Sequence, residues 1–236
     1  MPTSEMVGSQ ELALRHQFVD SEQQKDASSM GMWLFLVTEI MFFGGMFTAY
    51  LIYRAGHPGA FMAGSLALDV KLGAFNTVVL IGSSLTMALA VRCAQLGQRK
   101  PLVGWLIATI LLGATFLGVK AVEYHEKWEK HHVPGPTFNF NTATEEATKD
   151  HPEAQAASNE VAMYFSLYFA MTGMHALHMI IGIGLMSVLT WLSWKGMFGR
   201  DYYSPIEYAG LYWHFVDLVW IYLFPLLYLI GRRHTF

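Results

Sequence analysis

Five stretches, at about 30–54, 71–93, 102–124, 160–194 and 207–231, are long and apolar enough to set the architecture before any motif is read. A hydrocarbon core about 30 Å thick takes about 20 apolar residues of helix to cross, and within it every backbone polar group needs an internal partner. The pattern predicts an all-α fold, an integral membrane bundle of five transmembrane helices. The chain is 53% hydrophobic and 14% charged, but it is the segregation of those residues that carries the inference. In the apolar cores of the last four stretches Asp217 is the one formal charge.

Two domains follow. Residues 1–29 form a polar N-terminal tail without the pattern of a cleavable signal peptide, and its Leu12, Leu14 and Phe18 suit a short interfacial helix. Ser28 or Ser29 is a candidate cap for the first span. Residues 30–236 form the transmembrane domain. Gly56, Pro58 and Gly59 break the chain after the first span. A polar loop at 125–159, rich in Pro, Asn, Thr and Glu, argues against regular structure and is long enough to be functional or packed on a partner. Span four is too long for the bilayer and should tilt or project. Pro225 inside span five is tolerable where a neighbouring helix satisfies the freed carbonyl. The short loops on the N-terminal side carry Arg92, Arg99, Lys100, Lys195 and Arg200, and the positive-inside rule then places the N-terminus in the cytoplasm and the C-terminus opposite, although Arg232 and Arg233 argue the other way.

The polar residues inside the spans are the functional candidates. Glu39 sits among Thr38-Glu-Ile-Met-Phe-Phe-Gly-Gly45, where an ionised carboxylate costs several kcal/mol unless paired or protonated. It reads as an acid on a proton, oxygen or lipid path, or as a protonated side chain that only packs helices together. His175 and His178 lie at i, i+3 and share a helix face; a metal there needs further ligands, for which His214 or Glu39 are available, whereas interhelical hydrogen bonding needs none. His214 and Asp217 have the same spacing and form a self-satisfied pair or a proton relay. Lys120 and Glu123 do so near a boundary where Lys can snorkel. Cys93 is the one cysteine, which excludes a disulfide framework, and there is no basic stripe for nucleic acid, no phosphate loop and no nucleophile elbow. No catalytic centre and no metal site is expected on this chain.

Several motifs coincide in order from about residue 11 to the C-terminus: Gly31-Met-Trp-Leu-Phe35, the segment around Glu39, Asn76-Thr77, Ser83-Ser-Leu-Thr-Met87, Glu123-Tyr124, Thr172-Gly-Met-His-Ala-Leu-His178 and Tyr212-Trp-His-Phe-Val-Asp-Leu-Val-Trp220. Together they resemble subunit III of the heme–copper oxidases, most closely the cytochrome c oxidase branch and its short-headed bacterial versions. The resemblance implies a bacterial plasma-membrane subunit without redox centre, bound to the catalytic subunit I, near subunit II and small subunits, with hemes and copper in those partners and phospholipid bound. Respiratory supercomplexes are a further expectation. It implies that Glu39 is the family's intramembrane acid. Thr38, Arg54, Asn76, Glu123, Tyr124, Thr172, His175, His178, Trp213, His214 and Asp217 become structural or lipid-contact positions. Longer members have seven helices, the first two splayed to hold lipid; this chain lacks those two. The alternatives are the equivalent subunit of a quinol oxidase or nitric-oxide-reductase system, a small proton-coupled transporter, or a membrane cytochrome.

Overall fold

The computed structural model describes residues 20–135, 138–141, 151, 154, 156–199 and 202–232. The expected interfacial helix around Leu12, Leu14 and Phe18 lies outside them. Six α-helices run in order: α1 (Ser21–Gly56), α2 (Pro58–Leu66), α3 (Val70–Gln95), α4 (Arg99–Glu129), α5 (Ser158–Trp194) and α6 (Ser204–Tyr228), with no strand among the described residues. All but α2 are long and apolar enough to cross a membrane. The protein is an all-α, multi-pass membrane bundle.

Helix α1 starts well before the apolar stretch. The cap is Asp20, which accepts the Gln23 N–H at 2.7 Å, with Glu22 in the first turn, where the helix dipole favours it. Ser28 does not cap: its hydroxyl bonds back to the Gln24 carbonyl inside the helix. The residues between, Glu, Gln, Lys and Ala among them, are good helix formers, so the helix continues out of the apolar region rather than beginning at its edge.

The break after α1 is real but local. His57 interrupts the helix, and Pro58 then occupies the first position of α2, where its missing N–H costs nothing. The small, apolar run that follows is buried from Ala60 to Leu66. The segment is therefore a packed element of the core, where the sequence suggested a plain loop. Its C-cap carbonyl is covered from α4, where the Lys127 ammonium donates to the Ala67 oxygen at 2.6 Å.

Helices α3 and α4 form the most extensive pair, and α5 and α6 pack on them. Helix α6 is the centre: 56% of its spanning window is buried, against 17% for α1, which touches the bundle along α6, α2 and α5. The end of α6 is bonded by its neighbours. After Pro225, the Leu226 carbonyl accepts the Tyr50 hydroxyl from α1 at 2.7 Å and the Leu227 carbonyl accepts the Tyr164 hydroxyl from α5 at 2.9 Å, which satisfies acceptors a helix end leaves open. In the described part of the long connection, Phe140 is buried and packs with His132 against Phe165.

Candidate functional site

Glu39 projects from the middle of α1 toward α5, where its Oε2 lies 3.1 Å from His178 Nε2. The other ring nitrogen, Nδ1, is 2.8 Å from the Met174 carbonyl. A carbonyl only accepts, so Nδ1 carries a hydrogen. Two arrangements remain: a protonated Glu39 donating to the Nε2 lone pair, or an imidazolium donating to a carboxylate. Either way one proton lies between the two side chains. Phe43 from α1 meets the His178 ring edge-on at 5.3 Å, and the Tyr212 hydroxyl donates to the His178 carbonyl at 2.9 Å. The pair is not sealed, since the side chains are 11% (His178) and 20% (Glu39) exposed at the α1 seam. This cross-helix contact, 139 residues apart in sequence, leaves no trace in the spacing of either helix.

A second cluster is sealed. Lys120 on α4 does not snorkel; it is 3% exposed and turned into the bundle. Its ammonium donates to Glu123 Oε2 at 2.9 Å, to the Tyr228 hydroxyl at 2.9 Å and to the Tyr168 hydroxyl at 3.1 Å. Those hydroxyls in turn donate to Glu123 Oε1 at 2.6 and 2.8 Å. All three ammonium hydrogens and both carboxylate oxygens are thus engaged, the condition under which burying an ion pair is tolerable. The Trp220 and Tyr124 rings stand 5.1 and 5.4 Å from the ammonium and add cation–π attraction. Tyr124 also exchanges a 2.6 Å hydrogen bond with Thr172, whose hydroxyl reaches the Tyr168 carbonyl. The i, i+3 spacing reveals Lys120 and Glu123; Tyr168 and Tyr228, from α5 and α6, were not singled out because a tyrosine in a membrane helix reads equally well as an interfacial belt residue.

The remaining positions separate by role. Trp213 is fully buried, donates to the Ser83 hydroxyl at 3.1 Å, and lodges its ring over Gly113 of α4 and Gly182 of α5. His214 and Asp217 are not bonded to each other, contrary to the pairing suggested by their spacing. His214 Nδ1 meets the Ser84 hydroxyl of α3 at 2.7 Å instead, because α3 runs antiparallel beside α6 and offers a hydroxyl at that level. His175 stands between Phe116 and Trp220 with neither ring nitrogen hydrogen-bonded, and the Asn76 amide is likewise buried without a partner. Thr38 is exposed and bonds the Phe35 carbonyl within its own helix. Arg54 lies in the last turn of α1, where a cation suits the carbonyl end. His175, His178, His214 and Glu39 do not converge; among the described residues no three of His, Cys, Asp and Glu are grouped as a metal would need.

The fold and these clusters define a class: a multi-pass helical membrane protein whose intramembrane polar side chains join helices to one another. The chain matches the family described as cytochrome c oxidase subunit III over residues 15–145 and 147–232. It is 33% identical over 206 residues to cytochrome c oxidase subunit 3 of Synechocystis sp., covering 87% of this chain and 76% of that one. It is 30% identical over 203 residues to quinol oxidase subunit 3 of Bacillus subtilis, covering 86% of each. It also matches, at 28% identity over 212 residues, a chain of Aeropyrum pernix named heme-copper oxidase subunit I+III, covering 87% of this chain and 23% of that one. The chain belongs to the subunit III family of the heme–copper oxidases, and membership implies association with subunit I.

Proposed function

We propose that this chain is the accessory subunit III of a proton-pumping cytochrome c oxidase in aerobic respiration, docked on subunit I in a bacterial plasma membrane with its N-terminus in the cytoplasm. It stabilises the catalytic subunit and supports its proton, oxygen and lipid surroundings, with hemes and copper held by subunits I and II. The observation that carries this reading is the Glu39–His178 pair, a proton-sharing couple at a half-open seam. An ionisable side chain inside a membrane span marks a functional position by default. The fused Aeropyrum pernix chain named subunit I+III supports direct contact with subunit I.

Glu39→Gln is expected to leave assembly intact, because an amide N–H donates to His178 Nε2 as a protonated carboxyl does, while the shared proton is lost. The purified complex should then contain normal amounts of this chain but inactivate faster during turnover or take up protons more slowly. Wild-type behaviour in both assays would remove the role assigned to Glu39. The relatives named quinol oxidase subunit 3 favour a second reading, the equivalent subunit of a quinol oxidase. Copurification with a copper-bearing subunit II supports the cytochrome c reading, and a subunit II without copper supports the other.

A further inference from the structure

Exposed cations stand at both ends of the bundle. Past the C-terminal end of α1, Lys130 at the end of α4 is paired with Glu126, and His125 Nε2 lies 3.3 Å from Glu129 Oε1, while Lys71 is exposed and forms no ion pair with a described residue. At the opposite end, Arg92, Arg99, Lys100 and Lys195 are all exposed, and none forms an ion pair with a described residue. One of them, Arg99, makes a specific contact with the loop that follows Lys195. Gly196, in the left-handed region at φ 80°, follows the C-terminus of α5, and the Arg99 guanidinium from the start of α4 lies where a Cβ on Gly196 would stand. A glycine is required there twice, for its backbone angle and for the close approach. Lys195, the adjacent residue, holds its ammonium 3.6 Å above the Trp191 ring.

Large apolar side chains are exposed next to these cations in the sequence. Leu96, Trp194 and Met197 are 41%, 81% and 60% exposed. Trp beside Lys and Arg at the end of a membrane helix marks the headgroup level. The carbonyl end of α5 accounts for one favourable interaction with a cation, but it leaves most of the guanidinium and ammonium hydrogens without acceptors. Doubly negative soluble anions would gain nothing from exposed Trp194 and Met197, whereas a phospholipid offers a phosphate to the cations and acyl chains to the apolar rim.

We propose that the 96–99 and 195–197 loops, joined by Arg99 seated on Gly196, form a binding site for the phosphate headgroup of an anionic glycerophospholipid. The inference needs the membrane but neither its orientation nor the type of oxidase. The test uses the intact complex containing this chain, exchanged into neutral detergent and titrated with dioleoylphosphatidylglycerol, dioleoylphosphatidylcholine or inorganic phosphate, with lipid retained on the chain counted by native mass spectrometry. Arg99→Gln/Lys195→Gln is expected to weaken retention of one phosphatidylglycerol by about tenfold, since each lost cation removes a headgroup attraction. Arg99→Lys/Lys195→Arg, which keeps both charges, should retain it, as should Arg54→Gln/Lys71→Gln at the other end. Equal retention in wild type and the double Gln variant overturns the proposal. So does loss in the charge-keeping variant, equal retention of phosphatidylcholine, or displacement by millimolar phosphate, which would assign the site to a soluble anion.

Discussion

Glu123→Leu is expected to destabilise the bundle by about 3–5 kcal/mol, the cost of leaving a buried charge without its partner. Lys120 is 3% exposed and has no route to solvent by extending. Without the carboxylate its ammonium keeps only the Tyr168 and Tyr228 oxygens, and those hydroxyls lose the acceptor to which both donate. An ordinary interhelical hydrogen bond in a membrane bundle averages about 0.6 kcal/mol, so a single-bond role for Glu123 predicts a loss several times smaller. Lys120→Met should be costly for the mirror reason, a carboxylate stranded among tyrosines. The double variant Lys120→Met/Glu123→Leu strands no charge and should recover much of either loss. Unfolding of the purified chain by SDS in mixed micelles, arranged as a double-mutant cycle, reads the coupling. Additive losses would show that the cluster is not a unit.

How far the sequence reaches is visible in these same residues. The number of spans follows from apolar length alone, because a bilayer imposes a length scale that few other environments do. Residues close along one helix are also legible: Lys120 and Glu123 stand at i, i+3 and do bond. The same spacing misleads at His214 and Asp217, since proximity on a helix does not exclude a better partner on another, and Ser84 takes the histidine. Contacts between helices are hidden altogether. Nothing in α1 or α5 alone couples Glu39 to His178, and nothing in α5 or α6 marks Tyr168 and Tyr228 as ligands of one ammonium. The helix α2 was missed for another reason. Pro and Gly punctuate it at the start, and its nine residues are too few for a clear apolar period, yet burial on all sides stabilises it.

Trp213→Ala is the other large effect, expected at about 3–5 kcal/mol for removing a fully buried indole. The ring is where four helices meet. It extends from α6, donates to Ser83 on α3, and occupies the space left by Gly113 on α4 and Gly182 on α5. A Cβ on Gly113 would fall 2.8 Å from the indole Cη2, and one on Gly182 would fall 2.9 Å from Cζ3. Both are closer than packed atoms allow. Gly113→Ala alone should therefore cost about 1–3 kcal/mol by overpacking. In the Trp213→Ala background the sign should reverse. The nearest remaining atom around the new Cβ is Ile183 Cδ1, at 3.4 Å, and the added methyl fills part of the cavity. Trp213→Phe should lose less than alanine, keeping most of the volume while giving up the bond to Ser83. SDS unfolding of the four variants measures this directly. A Gly113→Ala penalty that stays the same with and without the indole would mean that the glycine serves helix α4 itself, and that Trp213 is not the wedge around which the bundle closes.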